Sequence, residues 1–524
     1  MGFRGFIAEI PIGIDGMIGS PAHPTVPPTR LIDCDNIEYG TGVLRKEGGA
    51  AKYNAVAITG APGVLGASDW WPSAGVQRMI VLTDAGDLLK DSGAGTFAVT
   101  LAAGLTNPDD VPIFIEGGNE VAANNRKLFI FTGNNQVQVL VGDAAVTAAI
   151  SAPPADWTLP NFPLTGCLHV GRLWGAGNPN DPHRVYASLN SNHEDFTTTP
   201  LSFSIFPGEG EGIGAIYSFK GLLVIFKRPK GIFILDTTDP TNTNWVISRL
   251  SAEIGIAGPG AAALIDDDIL FLENGGEFNM ISAVQEFGNL GTKSLSDALE
   301  MTDFIHNNFA LSSLNKTMTI FYPDKREAHF FLPGTGSTNP NLRVVFDYKR
   351  EVPRYRNSRR DSGHYIFLRS KNGIRKPYHT DDAGFVWETD TEAKSKDGAG
   401  YNGMFQTPHL DFSYIDPKLA TKRKSGMFLE LLTIPEGNWD LAVDTYWDNE
   451  YSETINFNMG SSGAALGTFV IGTDGLAQDQ LLNRKKRLRG SGRRLSLIGR
   501  NNGDSQDFQV SKFLVHLKVN DERE

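Results

Sequence analysis

The stretch GLLVIFKRPKGIFIL, residues 221–235, sets two apolar runs, LLVIF and IFIL, on either side of the polar turn KRPKG. Branched and aromatic side chains suit a pleated surface and Pro and Gly end it, so the stretch reads as a β-hairpin. The same plan recurs along the chain. RMIVLTDAGDLLK begins at Arg78, RKLFIFTGNNQVQVLV at Arg126 and GRLWGAGNPNDPHRVYASL at Gly171. DILFLENGGEFNMI begins at Asp268, KTMTIFYPDKREAHFFL at Lys316 and HYIFLRSKNGIRKPYH at His364. Successive starts, with Gly221 in its place, lie 48, 45, 50, 47, 48 and 48 residues apart.

A hairpin cannot bury its apolar face alone, so copies at a fixed period must stack on one another. An all-β period near 48 residues is the length of a four-stranded propeller blade. The expected fold is therefore all-β: a β-propeller of about seven blades, with six or eight as alternatives, followed by a small β-sandwich. A β-helix has shorter repeats, and a string of sandwiches would not keep its hairpins in step. The remaining blade strands would lie between the hairpins, as in NWVISRL (Asn244–Leu250) and GPGAAALI (Gly258–Ile265).

Composition agrees. The 57 Gly and 28 Pro among 524 residues imply many turns, and 31 Phe supply a large half-buried surface. The period fails after about residue 390. TEAKSKDGAGYNGM (Thr391–Met404) reads as a linker at 391–404. The runs GMFLELLTIP, WDLAVDTYWD, ETINFNMG, GTFVIG, RRLSLIG and SKFLVHLKV then suit about six sandwich strands over 405–524. The propeller would occupy 31–390. Residues 1–30, with Pro21, Pro24, Pro27 and Pro28, read as a Pro-rich arm reaching a neighbouring subunit. The hairpin within LIDCDNIEYGTGVLRKEGGAAKYN (31–54) would supply the strand that closes the ring.

Function classes narrow by exclusion. Two cysteines, Cys34 and Cys167, are too few for a disulfide scaffold and point to folding in a reducing compartment. Glu9 and Asp15 interrupt any apolar leader, Phe6 stands where a myristoylation signal needs Ser or Thr, and no apolar run is long enough to span a membrane. A net charge of −12 opposes a protein that wraps duplex DNA in positive charge. Two basic stretches stand out: KREVPRYRNSRR (Lys349–Arg360) and RKKRLRGSGRR (Arg484–Arg494). The second reads as a hairpin tip between sandwich strands. It makes Arg484, Lys485, Lys486, Arg487, Arg489, Arg493 and Arg494 the candidate contacts to a partner or to DNA, against plain solvation.

Catalytic motifs are missing: there is no G-x-S-x-G, G-x-x-x-x-G-K-[ST], H-E-x-x-H or C-x-x-C. GEGEGIG (Gly208–Gly214) reads as a blade connection. His169, His183 and His193 with Glu194 and Asp195 match no metal template, and IDDD (Ile265–Asp268) lacks the ladder of a calcium loop. The pair Trp70-Trp71 reads as core, with stacking on a sugar as the alternative. No catalytic residue, metal ligand or cofactor is expected, and the chain is not expected to be an enzyme.

DCDNIEYGTGVLRKEGG follows a D…N-φ-x-x-G-x-φ-R-x-x-G pattern (φ being apolar) ahead of the propeller. With RRLSLIGRNNGDSQDFQVSKFLVHLKV at the far end and GRLWGAGNPNDPHRVYASLNSNHEDF as a blade, it resembles the tail nozzle proteins of short-tailed bacteriophages, also called tail stabilisation or tail-hub proteins. Glu47 departs from that pattern, where a Pro is frequent. The resemblance implies a virion structural protein, made in the host cytoplasm and built into the tail as a ring, six subunits being the expected number. Its partners would be copies of itself, the adaptor and portal-proximal proteins, tail fibres or spikes, and the phage DNA held in and released through the channel. A propeller enzyme acting on polysaccharide and a non-catalytic binding platform are the rival readings.

Overall fold

The structure is a computed structural model that describes residues 5–19, 26–40, 42–93, 95–118, 126–209, 212–283, 290–350, 353–460 and 481–520. Seven antiparallel sheets of four strands follow one another along the chain. Blade 1 spans residues 64–102, blade 2 113–149, blade 3 165–204, blade 4 213–251, blade 5 262–294 and blade 6 318–358. Blade 7 takes three strands from Ile366–Thr391 and its outermost from Gly49–Lys52, where Trp387 pairs with Lys52 and Thr389 with Ala50. The ring is thus closed by the N-terminal segment, and its next strand, Val64–Ser73, is the innermost of blade 1. Innermost strands of consecutive blades adjoin around the axis, and blades 4 and 5 are joined by Tyr217 Oη donating to the Pro259 carbonyl at 2.8 Å.

Local rules make the blades. The second strands of blades 3 and 4, Arg172–Ala176 and Leu222–Lys227, are buried after their first residue. In blades 3, 4 and 7 the turn between the inner and second strands has two residues: Val170-Gly171, Lys220-Gly221 and Asn372-Gly373. Both residues of each pair have positive φ, 47° and 67°, 49° and 79°, 54° and 82°. This is the turn whose twist matches a right-handed hairpin, and it favours Gly at its second place.

The repeat conceals a shift. The quoted hairpins from Arg78 to Asp268 are the second and third strands of their blades, whereas those from Lys316 and His364 are the first and second. An insertion between blades 5 and 6 absorbs the difference: helices Leu295–Ala298 and Thr302–Asn308 and a 3₁₀ turn at Leu311–Lys316. Ser294 Oγ caps the first helix by accepting the Asp297 N–H, and Phe304, Ile305, Phe309 and Leu314 bury the inner face.

The second domain is a sandwich of a seven-stranded and a five-stranded sheet. It does not merely follow the propeller. Gly5–Pro11 pairs along Lys512–Lys518, Asp33–Asp35 pairs with Met404–Gln406, and Leu44 and Arg45 pair with Val510 and Gln509. Among the described residues, four of its twelve strands therefore come from the N-terminal segment. Of the expected arm at 1–30, Pro21 and Pro24 lie outside the described residues, and Gly5–Pro11 is packed on the sandwich rather than extended away. The alternation in GFIAEIP explains this, because Ala8 and Ile10 are fully buried against the sandwich core while Ile7 and Glu9 face out. The expected linker 391–404 is also packed: the Ala50 N–H donates to Ser395 O and the Asp397 N–H to Ala50 O, beside the closing strand. GTFVIG, expected as a sandwich strand, lies outside the described residues. One core, running through Phe226, Phe271, Phe330, Ile12, Met17, Leu31, Phe405 and Phe513, joins blades 4–6 to the sandwich through the N-terminal segment.

Candidate functional site

Three places have the chemistry of a site: the basic run, an ionic junction beneath blade 6, and the propeller axis.

The basic run is not a hairpin tip. Leu482–Arg487 is the edge strand of the seven-stranded sheet, paired with Phe428–Thr433. Leu488 is buried and ends the strand. Arg484 is half-buried and donates to the Gly460 carbonyl; Lys485 pairs with Glu430 at 2.7 Å and lies over the Phe428 ring. The turn beyond is pinned by Trp447 and Asp448. Trp447 Nε1 donates to Arg489 O at 3.0 Å, and the Arg493 and Arg494 N–H groups donate to the Asp448 carboxylate. Gly490, at φ 93°, lies against Trp447, and a Cβ there would come within 2.5 Å of the indole. Lys486, Arg487, Arg489, Arg493 and Arg494 are exposed. Positive charge on an open sheet edge also discourages strand addition by another chain.

The other basic stretch turns inward. Its strand Arg354–Ser358 is the outermost of blade 6, buried along its whole length between that blade and residues 33–39. Arg356 Nη2 donates to Glu327 Oε2 at 3.0 Å, and Arg343 Nη2 meets Glu47 Oε1 at 2.7 Å. Arg354 pairs with Asp347 at 2.6 Å and covers the Tyr39 ring. Arg360 grips Asp361 with two bonds of 3.0 Å and donates to the Gly48 carbonyl. Lys325 bridges Glu38 and Asp390, at 2.7 Å each. Asn36 Oδ1 accepts from Ser358 Oγ and from the Arg359 and Arg360 N–H groups.

Burial opposes charge on these carboxylates, yet the guanidinium groups outweigh it. Arg343, Arg356 and Arg360 hold Glu47 at about 2, and Arg356 with His329 holds Glu327 well below the carboxylate range. Asp361 is held down in the same way by Arg360 and Arg343. Burial keeps His379 neutral, down to about 4. The junction is thus a charged, water-poor strut tying Glu38, Glu47 and Gly48 to blades 6 and 7. Sequence reasoning singled out the stretch and Glu47 separately; only the fold pairs them.

The axis holds a cavity of about 480 Å³ between the inner strands of blades 2 to 6. Phe114, Cys167, Tyr217, Met318 and Phe321 line it, and Phe114 meets Tyr365 edge-on at 6.1 Å. At about 480 Å³ this space is a pocket rather than a duplex-sized bore.

The remaining sequence candidates are stitches between strands and blades. His169 bonds Ser218 and Thr237 of blade 4 at 2.8 and 2.6 Å, and burial lowers it to about 4. His183 lies 3.2 Å from Lys227 Nζ, His193 accepts the Gly118 N–H, Glu194 pairs with Lys127, and Asp195 caps the turn at Thr197 and Thr198. Asp266 and Asp267 pair with Arg326 and Lys220 of adjacent blades. In GEGEGIG, Glu209 O accepts from Lys227. Among the described residues no group of three or more His, Cys, Asp or Glu is arranged to hold a metal, and no helix is long and apolar enough to cross a membrane. Cys34 and Cys167 are free thiols. Trp70 is core, whereas Trp71 is half-buried.

No protein-family model matches the chain, and neither does any curated protein. Among solved structures, it is similar to the computationally designed Ika8 protein at 8% identity and a TM-score of 0.36, over 73% of this chain and all of that one.

Proposed function

We propose that this chain is a structural component of a phage tail, a subunit of the ring-shaped nozzle through which DNA is retained and then released. The observation that carries the reading is where its two most telling sequence segments lie. DCDNIEYGTGVLRKEGG and the C-terminal RRLSLIGRNNGDSQDFQVSKFLVHLKV resemble opposite ends of nozzle proteins, and here they interlock. Lys46 N–H donates to Asp507 Oδ1 at 3.1 Å, Lys46 Nζ to Gly503 O at 3.0 Å, and Leu44 pairs with Val510. An N-terminal pattern with a partner at the far end of the chain belongs to the framework of the whole molecule, as the resemblance requires.

The propeller axis adds a second support. A cavity of about 480 Å³ lined by Phe114, Tyr217 and Phe321 is too small for a duplex, so in this reading the DNA channel lies between subunits of a ring. Heterologous contacts that close on themselves make such rings. The overall negative charge of −12 suits a wall past which DNA slides without sticking.

Native mass spectrometry and negative-stain microscopy of the purified chain test this. The expected result is a closed ring, six-fold, with an axial opening wider than a DNA duplex. A monomer at high concentration, together with absence of the chain from purified tails, overturns the proposal.

A further inference from the structure

At the end of the propeller axis where the inner strands finish, a polar pocket of about 360 Å³ opens between blades 7, 1 and 2. Asp69, Trp71, Glu116, Leu368, Ser370 and Arg375 line it. Glu116 also borders the apolar cavity along the axis, so the two spaces meet there. We propose that this mouth is a binding site for a neutral glycan, with a pyranose ring on Trp71 and its hydroxyl groups between Glu116 and Arg375. The inference is independent of the nozzle reading.

The pocket is preorganised. Asp69 accepts from Trp71 Nε1 at 3.2 Å, from Gln77 Nε2 at 2.8 and 2.9 Å, from Arg369 Nε at 3.3 Å and from the Ser370 N–H at 3.1 Å. Its acceptor sites are occupied, so Asp69 is a positioning residue. It fixes the edge of the Trp71 indole and ties blade 1 to blade 7, leaving the ring half-exposed. A rigid aromatic face with a polar edge is a low-entropy platform for an apolar ring surface.

Glu116 differs. Its carboxylate is exposed in the pocket and has no hydrogen bond or ion pair among the described residues. Burial, followed by the nearby Asp69 charge, raises its pKa, while Arg126 and Arg375 act against the rise. Asp69 is already paired with Arg369, so one carboxylate, Glu116, and one guanidinium group, Arg375, face the space, and their charges cancel. A phosphate or sulfate would meet Glu116, and an ammonium group would meet Arg375. A neutral polyol avoids both penalties and uses every group present: the indole face, Leu368, the Glu116 acceptors and the Arg375 donors.

The test is titration of the intact chain, by tryptophan fluorescence and calorimetry, with neutral hexose and N-acetylhexosamine trisaccharides. Choline and inorganic phosphate serve as charged comparators. At least one trisaccharide is expected to saturate, and Trp71→Ala to weaken it at least about tenfold, the loss of one anchoring contact. Glu116→Gln and Arg375→Ala, both at exposed positions, should each weaken it about threefold or more without changing the melting temperature, and Trp71→Phe should restore most of the binding. The proposal is overturned if no neutral trisaccharide binds, if choline or phosphate binds in preference, or if Glu116→Gln and Arg375→Ala bind like the parent.

Discussion

Glu47, two residues before the ring-closing strand, lies 2.7 Å from Arg343 in the third strand of blade 6, and both side chains are buried. Glu47 is also the residue that departs from the nozzle-like pattern. Its carboxylate faces Arg343 at 2.7 Å and Arg356 at 3.6 Å. Removing its charge takes the nearest partner from Arg343 and leaves the buried cluster with excess positive charge, although Arg356 keeps Glu327. Glu47→Gln is expected to destabilise the fold by about 3–5 kcal/mol, the cost of breaking a buried pair from one side. Urea denaturation of parent and variant checks this. A double variant, Glu47→Gln with Arg343→Met, should recover part of the loss, because it removes that excess charge.

Acid should act through the same junction. Glu47, Glu327 and Asp361 have folded pKa values below their unfolded ones. Their contribution is complete above about pH 4.5 and is lost as pH falls toward the folded values, about 2 for Glu47. At Glu47 alone this is on the order of 3 kcal/mol. Between pH 7 and 4.5 opposing groups partly cancel. His169 and His379, kept neutral by burial, lose stability as pH falls below about 6.5. Asp35 and Glu273, raised by burial to about 6 and about 7, gain it. Urea midpoints should therefore change little from pH 7 to 5 and drop steeply below 4.5, and Glu47→Gln should flatten the drop.

The N-terminal segment gives a third expectation. Deleting residues 1–19 removes the strand Gly5–Pro11 and exposes the core positions that Ile10, Ile12 and Met17 cover. The truncated chain should lose several kcal/mol of stability and bind a hydrophobic dye, whatever its oligomeric state. An unchanged melting temperature would falsify this role for the strand.

The legible part of the fold was local. Hairpins announce themselves, because apolar runs on either side of a short polar turn act within a single stretch of chain, and seven blades follow from counting them. The switch from second to first strands at Lys316 was hidden because the helical insertion happens to preserve the period. Residues 5–11 alternate as any strand does, but their partner lies at 512–518, and no local signal names a partner so distant. For the same reason Arg354, Arg356 and Arg360 look like a solvated stretch. Arg354 takes Asp347 and Arg356 takes Glu327 and Glu47, all on other strands or turns, while Arg360 takes its neighbour Asp361. Trp71 and Glu116 sit in different blades and share a pocket only because both inner strands end at the axis.

The edge strand carries a fourth prediction. Changing Arg484, Lys485, Lys486 and Arg487 to Ser removes one ion pair, Lys485 with Glu430, and one donor to Gly460. Because surface substitutions shift stability by about 0.5 kcal/mol or less, the total cost should stay near 1–2 kcal/mol. If the strand meets DNA, the log–log salt dependence of binding should become shallower by about 3 to 4 with four charges gone. If the variant binds DNA and assembles as the parent does, the charges serve only to guard the sheet edge.

The strand Gly49–Lys52 completes blade 7, and the segments before it complete the sandwich with Lys512–Lys518. Residues 5–11 therefore leave the ribosome long before their partners at 512–518. At about 5–20 residues per second, they wait roughly half a minute to two minutes while blades 1 to 6 fold one by one behind them. Throughout that wait the apolar face of residues 5–11 lacks its partner strand, so nascent chains are at their most vulnerable to aggregation and proteolysis before residues 512–518 emerge. A ribosome that stops short of residue 509 releases a molecule with a closed propeller and half a sandwich, folded enough to persist and open enough to capture the wrong strand.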